Sequence, residues 1–118
     1  MSASAYSLSV AIPSAGFSVE GPSLETREAE DGGGYTHHFC PRCHTWIFTT
    51  MPEGMGFTNL RATMLDDASW YRPYAETQTS EKLAFAETGA AVSFERFPQM
   101  DEMMPLIESF AREGARPA

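Results

Sequence analysis

The chain has 118 residues, 42% of them apolar and 20% charged, which suits one globular domain with a single core over 1–118 and argues against global disorder. Its net charge of −8, with only 8 Lys and Arg and no basic cluster, argues against a nucleic-acid partner. No apolar run approaches the roughly 18 residues of a membrane span, and no basic N-terminal region leads into an apolar core, so the expectation is a cytoplasmic protein with no membrane partner.

Tyr6, Leu8, Val10 and Ile12 alternate with small or polar residues, the period of a half-buried strand. Pro13 to Gly16 is a turn, and Phe17 to Val19 is expected to start a second short strand. Glu20 to Gly34 is polar and acidic and ends in three glycines, so a mobile connection is expected there, with the acidic stretch Glu25 to Asp31 a solvated loop. Tyr35 to Phe39 returns as a strand and delivers Cys40-Pro-Arg-Cys43. Thr45 to Thr49, rich in β-branched and aromatic residues, leaves as another. Met51 to Gly56 is a turn, Phe57 to Ala62 a strand, and Met64 to Arg72 irregular. Lys82 to Phe85 and Ala91 to Phe94 are expected to form a closing strand pair. Met103, Leu106, Ile107, Phe110 and Ala111 recur at helical spacing, with Asp101 as cap, Gly114 as stop and Pro105 in the first turn. Met100, Met103 and Met104 would pack this helix onto the sheet. The fold class is mainly β, small antiparallel sheets with one C-terminal helix.

The two cysteines are three residues apart between strands, the arrangement of a zinc knuckle in which both sulfurs face one metal. A bend at Pro41 would turn backbone N–H groups toward the sulfurs and, with the metal's charge, hold the thiols ionised. Two sulfurs are half of a tetrahedral set. His38, two residues before Cys40, is the candidate third ligand; His37 and His44 read as solvated or hydrogen-bonded strand residues, and His44 as outward-pointing. A thiol–disulfide couple is disfavoured, because the second cysteine leads into a strand and not a helix whose dipole would activate it. A reduced, metal-free pair is the third reading.

Other residues admit chemistry and bland roles alike. Asp66 and Asp67 read as a turn cap more readily than as paired carboxylates, since neighbours on an extended segment diverge. Arg61 could hold a ligand carboxylate, with a surface salt bridge the commoner role. Trp46, Trp70, Tyr71 and Tyr74 could line a small-ligand groove, or be core and rim.

With these residues in hand, the chain resembles the glutathione-dependent formaldehyde-activating enzyme family, also called the centromere protein V family. The matching elements are Ser4-Ala-Tyr-Ser-Leu8, Phe17 and Val19, His38-Phe-Cys-Pro-Arg-Cys43 with Thr45, Arg61 to Asp67, Pro73, Glu76 and Thr79, then Phe94 and Pro98. The resemblance implies an Mss4-like zinc fold. It implies a structural zinc held by Cys40 and Cys43 with an early Cys-x-Cys pair, and a catalytic zinc held by a further cysteine cluster. Both of those motifs would precede Ser4, so the expectation is an N-terminally truncated member whose Met1 is an internal methionine. The implied activity is carbon–sulfur lyase chemistry on a glutathione–aldehyde adduct, like that of S-(hydroxymethyl)glutathione synthase, impaired in this chain. The alternative is a non-catalytic zinc-fold binding or scaffold module, with one metal bridging a homodimer. Catalytic residues stay unassigned. In this family pattern, His44 stands where a glycine is usual.

Overall fold

The computed structural model describes residues 4–30 and 32–118. The Met1 to Ala3 stretch and Asp31 lie outside the described residues. The chain divides into two compact units, Met1–Asp66 and Asp67–Ala118.

The first unit is a five-stranded antiparallel sheet in the order β1-β5-β4-β3-β2. The strands are β1 (Ser9–Pro13), β2 (Glu25–Glu28), β3 (Thr36–Phe39), β4 (Trp46–Thr50) and β5 (Phe57–Arg61). Strands β2 to β5 form a meander, and β1 closes it by pairing Val10 with Leu60 and Ile12 with Thr58. A 3-10 turn over Ser14–Gly16 follows β1, anchored by the Ser14 N–H on the Gly56 carbonyl (3.0 Å) and by the Ser14 and Thr58 hydroxyls (2.8 Å).

Two expectations fail in this unit. Phe17 to Val19 is not a strand: Val19 is exposed, and Phe17 instead sets its ring edge-on to Phe48, centroids 4.9 Å apart. The stretch expected to be a mobile connection supplies β2, which pairs Arg27 with His37 and Glu25 with Phe39. All four β2 residues are exposed, so no apolar alternation marks it; β2 is an edge whose charges keep it from pairing further.

Phe48, 5% exposed, is the largest core residue, packed between Phe17 and the flat face of His38. One irregularity shapes the other face. His38 pairs with Phe48 but Phe39 pairs with Trp46, so Ile47 is an extra residue on β4. Such a bulge re-aims the side chains beside it. Strict alternation would put Trp46 beside Phe48; the bulge moves it to the face of His37 and Thr49.

The second unit has less regular structure. Strand β6 (Ala75–Glu76) runs parallel to β7 (Val92–Ser93), and a 3-10 turn over Thr79–Glu81 lies between them in the chain. This overturns the expected closing pair: Lys82 to Phe85 is not a strand, Leu83 and Phe85 are exposed, and the small sheet is parallel. Glu76 binds the bracket together. Its two carboxylate oxygens accept from Thr88 and Ser93, each at 2.7 Å, and Lys82 approaches to 3.7 Å.

Helix α1 spans Met100–Glu113. Its cap is Gln99 and not Asp101: the Gln99 N–H donates to the Glu102 carboxylate at 2.8 Å, and Asp101 sits inside the first turn. Pro105 is a helix-interior residue and not a first-turn one, so the Asp101 carbonyl lacks its backbone donor. Gly114 does end the helix, its N–H on the Phe110 carbonyl (2.8 Å), with φ at −67°. Its need for glycine is steric, because a β-carbon there would overlap the Phe110 ring. Met100 and Met104 are exposed and do not pack the helix down; Met103 and Leu106 are its half-buried apolar positions. Tyr74 ties the helix to its unit through a ring contact with Phe110 (5.3 Å). Among the described residues, no helix is long and apolar enough to cross a membrane.

Candidate functional site

The cysteine turn sits where β3 hands over to β4. The Cys40 N–H donates to the Thr45 carbonyl (2.9 Å) and the His44 N–H to the Cys40 carbonyl (2.8 Å), closing a tight loop around Pro41, Arg42 and Cys43. That closure needs a left-handed residue, and His44 takes it at φ 61°. A side chain there is costly, since its β-carbon crowds the backbone. The outward expectation for His44 holds: its side chain is exposed and reaches the Glu25 carboxylate at 3.3 Å.

Both cysteines are reduced, Cys40 half-buried and Cys43 exposed. The Thr45 hydroxyl lies 3.1 Å from the Cys43 sulfur. That hydroxyl, the Thr45 backbone N–H and the Cys40 thiol together draw the Cys43 thiol down to about 7. Donors aimed at a sulfur favour its ionised form, the form that binds a soft divalent metal. As a donor set the turn therefore suits zinc in kind and supplies two of four positions in number. Among the described residues, no group of three or more His, Cys, Asp or Glu side chains is placed to hold a metal ion.

His38 is engaged elsewhere. Its ring lies flat on Phe48, centroids 4.1 Å apart and planes 12° apart, and Nε2 meets the Thr50 hydroxyl at 2.8 Å. Burial, then the neighbouring His37, lower its pKa, so it is neutral at pH 7. His37 lies on the opposite face, where its Nδ1 is 2.8 Å from the Thr49 hydroxyl.

That face holds a constellation that simple alternation could not foretell. The Trp46 indole donates to Thr49 Oγ1 at 3.1 Å. His37 stands edge-on to the Trp46 ring at 5.3 Å, and the Arg61 guanidinium lies over the same ring at 4.2 Å. Arg61 is 8% exposed, so its position is buried and ring-stacked and not at the surface. The bulge at Ile47 gathers these residues, and only pairing register reveals it.

The remaining candidates separate. The Ser69 side chain and then the Ser69 N–H, which donates to Asp67 at 2.9 Å, lower the Asp67 pKa and fit the turn-cap role. Trp70 and Tyr71 contact each other, and Tyr74 packs on Phe110.

Comparison with known proteins adds one match. The model of the glutathione-dependent formaldehyde-activating enzyme family matches residues 1–81, which takes in the whole five-stranded sheet, the cysteine turn and Glu76. The similarities at Phe94 and Pro98 lie beyond it. No curated protein and no solved structure matches the chain. The match covers well over half of the sequence, and the chain belongs to the glutathione-dependent formaldehyde-activating enzyme family.

Proposed function

We propose that this chain binds zinc through Cys40 and Cys43 and works on adducts of glutathione with small aldehydes, forming or breaking their carbon–sulfur bond. The observation that carries the proposal is the family match running unbroken through the cysteine turn. Support comes from the turn itself, which draws the Cys43 thiol down to about 7 and so favours its thiolate. Zinc bound there would offer a thiolate-held Lewis acid. The chain's own contributions are to present two sulfurs from one hydrogen-bonded turn and to favour the ionised form of Cys43 through Thr45. With two donors per chain the centre is incomplete by itself, so turnover is expected to be weak.

The two-donor count also favours a second reading. Two copies could each bring one Cys-x-x-Cys pair to a metal on their symmetry axis, giving a non-catalytic binding module.

An assay of formaldehyde loss in the presence of glutathione tests the first reading. Zinc-dependent loss that disappears in Cys40→Ser and in Cys43→Ser is the expected result. Loss at the uncatalysed rate by the zinc-supplemented wild type would overturn the catalytic reading, and zinc-dependent dimers in a sizing experiment would then support the second.

A further inference from the structure

The cysteine turn brings its two thiols together with unequal access to solvent. Cys43 is exposed and Cys40 half-buried, and the Cys40 thiol is near enough to hydrogen-bond the Cys43 sulfur. Both ends of the turn are pinned. The His44 N–H closes it on the Cys40 carbonyl at 2.8 Å, and the Cys40 N–H donates to the Thr45 carbonyl at 2.9 Å. Just outside, Phe39 pairs with Trp46 across β3 and β4. Residues three apart in such a turn have α-carbons within about 7 Å, the limit beyond which a disulfide needs the backbone to move.

The objection to a thiol–disulfide couple in the sequence is the missing helix dipole. The turn answers it locally: the Thr45 hydroxyl, 3.1 Å from the Cys43 sulfur, can donate to a thiolate there. A bond between the two sulfurs would also be easy to reopen. It closes a loop of only four residues, Cys40 to Cys43, and short loops remove little entropy from the unfolded chain. Exposed disulfides are the labile ones.

We infer that Cys40 and Cys43 form a reversible disulfide by exchange with a small disulfide such as oxidised glutathione, entered through Cys43 and completed by Cys40. Cys43 loses its proton to solvent, and its sulfur attacks one sulfur of the small disulfide. The Cys43–glutathione bond forms, the original S–S bond breaks, and one glutathione leaves and takes up a proton. The Cys40 sulfur, having lost its own proton, then attacks the Cys43 sulfur and displaces the second glutathione. The cysteine pair is oxidised by two electrons, and the small disulfide is reduced to two thiols. On the zinc reading proposed above, the same bond removes both sulfur donors, so the oxidised chain takes up no metal; the disulfide itself does not depend on that reading.

The test is exchange of the reduced, metal-free chain with oxidised glutathione at neutral pH, quenched by alkylation and read by mass. The expected end product is a chain lighter by two hydrogens that carries no glutathione and regains both thiols in excess reduced glutathione. Cys40→Ser should stop at a glutathione adduct on Cys43. Cys43→Ser should form its adduct on Cys40 at least about tenfold more slowly, because that sulfur is half-buried. A wild-type chain that stays reduced, that stops at the adduct, or whose disulfide resists excess reduced glutathione would overturn the inference. So would equal rates of adduct formation in the two variants. Cobalt(II) then separates the two readings. Thiolate absorption in the reduced chain that is lost on oxidation supports regulation of the metal site. Absorption absent from the reduced chain as well, with the disulfide still forming, leaves the inference standing and removes the zinc reading.

Discussion

The sheet of the first unit and the bracket-and-helix of the second are held by different kinds of bond. In the sheet, five strands share continuous backbone ladders, and side chains add a small aromatic core on one face and a polar, cationic group on the other. In the second unit the ladder is two residues long, and one carboxylate, Glu76, joins residues 12 and 17 positions away. A ladder is distributed, so single substitutions weaken it only where they open the core. A carboxylate node is concentrated, and its failure is tied to pH. The cysteine turn sits on the distributed side, at the end of two paired strands, as the proposed two-sulfur site would require.

The largest effect that would sharpen this contrast is expected at Phe48. Phe48→Ala empties the space between Phe17 and His38 and should cost about 3–5 kcal/mol in chemical denaturation. A cost below about 1 kcal/mol would mean that the sheet does not depend on that core. Next comes the reactivity of the turn. In metal-free, reduced protein, alkylation of Cys43 by iodoacetamide should rise with pH through a midpoint near 7, and Thr45→Ala should move that midpoint upward, since the Thr45 hydroxyl is the main cause of the shift. An unmoved midpoint would separate the hydroxyl from the acidity.

Glu76 tests the concentrated side. Its hydrogen bonds from Thr88 and Ser93, and the nearby Lys82, hold its carboxyl below the ordinary range. A depressed carboxylate contributes stability that is complete above its unfolded pKa of about 4.3 and is lost as pH falls through the lower folded value. Glu76→Gln should therefore lower the thermal midpoint at pH 7, and the gap from wild type should narrow below about pH 4. A gap that is constant with pH would show that the charge is not what binds the bracket. The smallest effect is expected at His44. His44→Gly relieves a left-handed backbone but loses an exposed contact with Glu25, for a net gain of about 0.5 kcal/mol.

The parts that were legible in the sequence follow the same division. Strands β1, β3, β4 and β5 announce themselves because their alternation or β-branched content is local. The cysteine turn is legible from spacing, and the outward direction of His44 from its place after the second cysteine. Strand β2 was not, since an edge strand with four exposed residues carries no apolar period. Nor was β7's partner: a parallel pair is joined through a long connection, so the nearest apolar segment, Lys82 to Phe85, misleads. Trp46 was placed by a one-residue bulge, which no alternation rule encodes. Arg61 looks like a surface cation by type, and the ring stacked beneath it is one contact that its burial draws on. Pro105 was expected in the first turn, but the capping pair Gln99 and Glu102 starts the helix early enough to put it inside.

The most direct measurement is a cobalt(II) titration of the reduced protein, followed by the near-ultraviolet sulfur-to-metal absorption and checked by zinc analysis. Thiolate absorption that saturates at about one metal per chain, or about one per two chains if copies share it, and that vanishes in both Cys40→Ser and Cys43→Ser, is expected. Reduced protein that takes up neither ion, or that keeps its metal when either sulfur is removed, would contradict the assignment of this turn as a metal-binding pair.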